Sequence, residues 1–369
     1  MVIPPFLIYV YMMNNVVMVL IAGLVGAVIG WLIAVAMSPL ITPAPIVYIL
    51  RKLFMIPSFK PPVNWNDIDD NISSITGIEY NHDNRLSYDI HWPAGSKPCE
   101  HPCLIWLHGG GFIGGSRTTT TGYCMMLANA GITVVNVDYG LAPRYQHPRQ
   151  VQDVDNVIRH LQTLNEHIRP DLNRVFIGGD SAGAHIASEY AALITNGEYR
   201  SKLGLMLSKN VHISGLVLLC GLYDFMALKT SSWWRFPIKP LTKQLGWAIT
   251  GNHSWHDARI TKRMNVTDYI TNDYPPCFIM DGNYCTFNTQ LAVMNETLTE
   301  HAVKHVIIGF PRHKPADDSK DADYNVYMNV DKTGNRKLFH EFQFNMTKPE
   351  SVLVYDDIIG FITACSDNK

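Results

Sequence analysis

Residues 174–195 read RVFIGGDSAGAHIASEYAALIT, and this stretch limits the folds open to the chain. Val175, Phe176 and Ile177 are strand formers in an apolar run too short for a helix. From Ala182 onward the small and apolar residues suit a helix. Between the two, Gly179-Asp180-Ser181-Ala182-Gly183 leaves only a few residues for the change of direction. A strand that passes so abruptly into a helix belongs to a layered α/β fold, with helices on both faces of a mostly parallel sheet. The turn also carries chemistry. Glycines on either side of Ser181 leave room for a sharp bend that lifts its hydroxyl above the sheet, and the helix N-terminus beneath adds positive backbone potential.

The rest of the chain repeats this rhythm. Residues 77–95, GIEYNHDNRLSYDIHWPAG, form two alternating runs around a polar turn and predict a hairpin. Apolar strand-like runs follow at 103–107, 132–139, 213–221, 276–282 and 305–310. Val151, Val154, Ile158, Leu161 and Leu164 recur at helical spacing. Two segments break the pattern. Residues 225–272 hold Trp233, Trp234, Phe236, Trp247 and Trp255 without a strand signal, which predicts a helical cap. Residues 311–337 are polar and charge-rich, longer than the loops of a compact domain, and are expected to be a disordered insertion.

The 369 residues suffice for a full core, and a net charge of −2 leaves no basic face for nucleic acid. Apolar residues make up 47% of the chain, with the excess at its start. After a tail of residues 1–15, residues 16–37 run without a charge, long enough to cross a hydrocarbon layer of about 30 Å. A single-pass membrane anchor is the expectation, followed by a linker or cap segment at 38–74 and the main domain at 75–369. Arg51, Lys52 and Lys60 would hold that domain on the cytoplasmic side. Sequons at Asn71, Asn252, Asn265, Asn295 and Asn345 argue for the lumen of the endoplasmic reticulum, the side favoured here. The seven cysteines have no framework spacing; Cys99 and Cys103 are close enough in sequence to pair, and free thiols fit equally well.

Residues 106–116, WLHGGGFIGGS, follow the strand-like run at 103–107. Glycine is costly to order, so consecutive glycines mean that the backbone itself must approach something. Gly110 and Gly111 can present amides that no side chain shields, and Ala182 supplies a third at the helix start. Such donors stabilise the negative oxygen that develops when a hydroxyl attacks an ester carbonyl.

HGGGF, DYGLAP and GDSAGAHIA together resemble the hormone-sensitive-lipase-like branch of the α/β-hydrolases, which includes many carboxylesterases. The resemblance runs from about Ile75 to the C-terminus, without 311–337. It implies Ser181 as nucleophile, with Gly110, Gly111 and Ala182 as the oxyanion hole. His340, in LFHEFQF, takes the place of the family's catalytic histidine, and His108 shapes the oxyanion loop. The family's acid is expected in a G-x-x-D-x-[LF] turn. Here Gly282-Asn283-Tyr284-Cys285-Thr286-Phe287 puts Cys285 at that place. A mostly neutral thiol accepts hydrogen bonds poorly and would orient an imidazole badly. The substitutes are Asp224, ranked first, then Asp281, with a Cys285 thiolate third. Gly140 and Arg144 depart from the family's usual Arg and Glu and question how firmly the loop below the site is braced.

The reading at this stage is a membrane-anchored serine hydrolase that cleaves apolar carboxylic esters of short or medium acyl chain and needs no metal or organic cofactor. An amidase or deacetylase would use the same machinery. The missing family aspartate and the polar insertion keep open a second class, a non-catalytic α/β-hydrolase module that binds a ligand or partner.

Overall fold

A computed structural model describes residues 42–56, 59–82, 85–208, 211–226, 239–309 and 337–367, together with Gly23, Leu24, Gly26, Ala27 and Gly30. The expected membrane span at 16–37 and the insertion at 311–337 therefore lie outside the described residues, apart from those five positions and Lys337. Among the described residues, no helix is long and apolar enough to cross a membrane. Trp233, Trp234 and Phe236 of the expected cap also lie outside them.

Eight strands form one sheet: β1 (Ile72–Asn81), β2 (Leu86–Pro93), β3 (Pro102–Leu107), β4 (Thr133–Val137), β5 (Asp171–Asp180), β6 (Ile213–Leu219), β7 (Cys277–Met280) and β8 (His305–Ile308). Their order is β1-β2-β4-β3-β5-β6-β7-β8. The expected hairpin, β1–β2, is antiparallel, as is the β2–β4 pair. Every later pair is parallel. The helices, in chain order, are α1 (Ala44–Phe54), α2 (Trp65–Asp70), α3 (Arg117–Asn129), α4 (Arg149–Thr163), α5 (Ala182–Thr195), α6 (Gly197–Leu203), α7 (Lys239–Thr250), α8 (Ala258–Thr261), α9 (Asn288–Glu300) and α10 (Pro349–Ser366).

Strand alternation divides the core between the two faces of the sheet. Ile105, Val135 and Ile177 pack with Val154 and Ile158 of α4 and Ile186 and Tyr190 of α5. Their neighbours Leu104, Val134 and Phe176 pack with Tyr123 and Leu127 of α3 and Val354 and Ile358 of α10. Both faces are covered, which explains why the central strands read as continuous apolar runs.

Segment 38–74, expected to be a linker or part of a cap, contains a helix that touches the site. Arg51 of α1 donates from Nε to the Ile113 carbonyl at 2.5 Å and from a terminal nitrogen to the Ala142 carbonyl at 2.7 Å. These bonds hold α1 over the glycine loop and against α7. The Gly140–Arg144 loop is braced by other means than the family's pair. Asp153 accepts the Gly140 amide at 2.9 Å, and the Gln150 side-chain amide donates to the Gly140 and Tyr145 carbonyls at 2.8 Å each. All seven cysteines, Cys99 and Cys103 included, are free thiols.

Candidate active site

At the C-terminal end of β5 the chain turns on Ser181, whose φ of 51° and ψ of −113° lie far from both strand and helix values. The flanking glycines are sterically required. A Cβ on Gly183 would overlap the carbonyl oxygen of Leu107, and one on Gly179 would overlap the same oxygen. The strand-to-helix turn thus sits against the end of β3, where the glycine loop begins. At the start of this loop His108 stacks on Tyr139 at 4.3 Å, and the Tyr139 hydroxyl donates to the His108 carbonyl at 2.6 Å.

Gly110 has a φ of 115° and Gly111 a φ of 60°. The loop closes through the Ile113 and Gly114 amides, which both donate to the Gly110 carbonyl at 3.1 and 3.0 Å. The amides of Gly110 and Gly111 are not among the donors that close that turn. The Ala182 amide belongs to the first turn of α5, where no intrahelical acceptor exists. These three residues line one cavity of about 400 Å³ with Ser181 and His340. Its other walls are mostly apolar, including Leu53 and Phe54 of α1, Leu245 and Ile249 of α7, and the buried Trp255, with Asp180 and Glu341 beside the catalytic end.

The imidazole is the second group that the fold delivers. The Ser181 hydroxyl donates to His340 Nε2 across 3.0 Å. His340 is held by a local splice between two distant segments. The Asn283 and Tyr284 amides donate to the Leu338 carbonyl at 2.9 and 3.0 Å, and the Leu338 amide returns to Asn283 Oδ1 at 2.8 Å. Phe287 packs edge-on to the His340 ring at 5.0 Å.

This splice corrects the ranking of acids. Asp281, not Asp224, is the carboxylate that the structure brings to His340. A carboxylate oxygen of Asp281, a ring nitrogen of His340 and Cys220 Sγ all lie within 4.8 Å of one another. With Nε2 facing the serine, Nδ1 is the nitrogen left for the acid. Nδ1 of His340 and Oδ2 of Asp281 are both buried, and neither has a hydrogen-bond partner among the described residues. Oδ1 of Asp281 accepts the Gly282 amide at 2.7 Å and the Thr286 hydroxyl, which fixes the carboxylate and leaves Oδ2 for the ring. Burial raises the Asp281 pKa, and the nearby imidazole, the Thr286 hydroxyl and the Gly282 amide oppose that shift.

Asp224 is engaged elsewhere. Its Oδ1 accepts the Met226 amide at 2.7 Å, while its backbone is bracketed by Gln290 of α9, with N–H···Oε1 at 2.7 Å and Nε2–H···O at 2.9 Å. Cys285 is exposed and has a φ of 49°, so the turn directs it to solvent. Thr286 rather than the cysteine reaches back into the site.

Two carboxyl groups beside the site escaped the sequence reading. Asp180, buried just before the nucleophile, faces the carboxyl of Glu341, just after His340. Glu341 Oε1 stands 3.7 Å from His340 Nε2. A Cβ on Gly109 would overlap Asp180 Oδ2 and come within 2.8 Å of Glu341 Oε1, so the glycine loop leaves the space that this pair fills. Desolvation and the facing Glu341 hold the Asp180 carboxyl well above the ordinary carboxylate range, which favours its protonated form. The native state then keeps a proton that the unfolded chain releases near pH ~3.9. Stability is therefore expected to fall as pH climbs from that value through the raised one. Asp180→Asn should flatten this slope, as melting temperatures followed from about pH 5 to about pH 9 would record.

With this geometry in place, known proteins bear on the chain. The profile of the alpha/beta hydrolase fold family matches residues 104–313, more than half of the sequence. The chain belongs to the alpha/beta hydrolase fold family. Within it, this hydrolase-fold protein stands in the hormone-sensitive-lipase-like branch that its motifs resemble. It is 36% identical to esterase LipI of Mycobacterium tuberculosis over 104 residues, which cover 28% of the chain and 32% of that relative. It is 24% identical to the acetyl esterase of Salmonella paratyphi B over 210 residues, 56% of the chain and 62% of the relative. The hydrolase-fold chain thus spans under two thirds of each of these relatives. Esterase B from Lactobacillus rhamnosis superposes with a TM-score of 0.67 at 20% identity, over 84% of this chain and 90% of that one. A Pyrobaculum calidifontis esterase gives 0.59 at 17% identity, over 87% and 93%. These likenesses establish the shared fold.

Proposed function

We propose that this hydrolase-fold protein cleaves small apolar carboxylic esters through an acyl-enzyme on Ser181. The observation that carries the reading is the 3.0 Å contact from Ser181 to His340 Nε2, backed by the buried Asp281 carboxylate. His340 takes the hydroxyl proton as Ser181 attacks, and Asp281 keeps the ring in the tautomer with hydrogen on Nδ1. The amides of Gly110, Gly111 and Ala182 receive the oxyanion. His340 then returns the proton to the leaving alcohol, and water releases the acid by the same steps in reverse order of roles. Gaps such as that between Asp281 and His340 commonly tighten when substrate binds.

The names of the relatives, esterases and an acetyl esterase, support the ester bond as target. The cavity sets the size. At about 400 Å³ it lies toward the small end of small-molecule sites. Its apolar walls favour an acyl group without charge. Against a series of p-nitrophenyl esters, the full chain should work best between acetyl and hexanoyl and lose about tenfold or more at palmitoyl. A protein that hydrolyses none of them would instead be a binding module on the same fold.

The uncharged run at 16–37 supports a single-pass anchor for the domain. Lumenal placement draws support from fewer sequons than the sequence offers. Asn265 and Asn295 are buried, and their side chains bond Asp268 at 2.9 Å and His305 at 2.9 Å, so neither has room for a glycan in the folded domain. Asn71, Asn252 and Asn345 remain as candidates.

A further inference from the structure

We propose that the outer face of α1 rests on a lipid bilayer and that the ester pocket fills from the membrane. The helix is apolar on the wrong side for a solvated one. Its inner side is already satisfied: Val47 is 2% exposed in the core, and Arg51 is bound to two carbonyls of the loops beneath. Its outer side, and the turn after it, show Tyr48 at 64%, Ile49 at 59%, Leu53 at 57% and Ile56 at 66% exposure. Single exposed apolar residues are ordinary, but a contiguous group of them marks a binding surface. Arg51 fixes the orientation, so this face cannot roll inward.

A bilayer is the occupant that the chain's own layout favours. The apolar span ends at Met37 and α1 begins at Ala44, a gap of about 25 Å at full extension. A run of that length placed in hydrocarbon keeps α1 within reach of the same surface. The only charged side chain on the outer side of α1 is Lys52, and the first turn holds no acidic residue, which suits lipid headgroups. The pocket joins the patch directly, because Leu53, Phe54 and Ile56 belong to its wall. An ester dissolved in the membrane would enter beside α1 without crossing water. The filling step rests on the hydrolase reading above; the docking of α1 does not.

The test uses the full chain with phosphatidylcholine vesicles and p-benzoylphenylalanine in place of Ile49, or of exposed Asn173 near the far end of β5 as control. On illumination, position 49 should gain the mass of one phospholipid and position 173 should not. No lipid adduct, equal adducts at both positions, or cross-links from 49 to a second copy of the chain would overturn docking. A Tyr48→Glu/Ile49→Glu variant, changed outside the pocket wall, should lose at least tenfold on an ester embedded in the vesicles. Its rate on a water-soluble ester of the same acyl group should stay within twofold. Parallel loss on both substrates, or none on the embedded one, would overturn filling from the membrane. A wild type that cross-links to lipid yet hydrolyses neither ester would sink the hydrolase reading and leave docking standing.

Discussion

Asp281→Asn is expected to lower kcat/KM for a soluble ester by about 10⁴-fold, with the fold intact by circular dichroism. An asparagine keeps the size and the bond to the Gly282 amide. It offers Nδ1 of His340 no charge and favours the wrong tautomer. Asp224→Asn should cost less than about tenfold, since the Asp224 carboxylate serves a turn capped by the Met226 amide and its backbone is stapled to Gln290. Cys285→Ala, at an exposed position, should change little. Comparable losses from Asp281→Asn and Asp224→Asn would mean that the acid has been misplaced.

Ser181→Ala should have the larger effect, a fall in kcat of about 10⁶-fold, because it removes the atom proposed to form the acyl-enzyme. The Gly110, Gly111 and Ala182 amides and the cavity survive this change. Binding of an unreactive ester analogue should therefore persist at near wild-type affinity, measurable by calorimetry. Loss of binding together with turnover would point to a collapsed turn. That outcome is unfavoured, since Ser181 holds its position through its backbone, with its amide donating to the Leu219 carbonyl at 2.8 Å.

What could be read from the sequence was local. The strand–turn–helix around Ser181 announces itself because its glycines, apolar run and helix formers are contiguous. The hairpin at 77–95 and the parallel strands follow from the same short-range pattern. The carboxylate beside His340 was not local. Counting along 282–287 puts Cys285 where a carboxylate is expected, but the left-handed turn at Cys285 sends its thiol outward, and Asp281 folds inward under Thr286. That arrangement depends on the splice of Asn283 to Leu338, 55 residues apart. The grip of Arg51 on the loops at Ile113 and Ala142 spans 62 and 91 residues and is equally invisible to periodicity. Asp180 and Glu341 each flank a recognised residue; their meeting became apparent only once the two loops were side by side.

The central claim is an activated serine at position 181, and covalent labelling reads it most directly. A fluorophosphonate probe followed by peptide mass spectrometry should place a single phosphonyl adduct on Ser181 of the wild type, formed at least 10²-fold more slowly in Asp281→Asn. No adduct, an adduct on another residue, or equal rates in the two proteins would contradict the account.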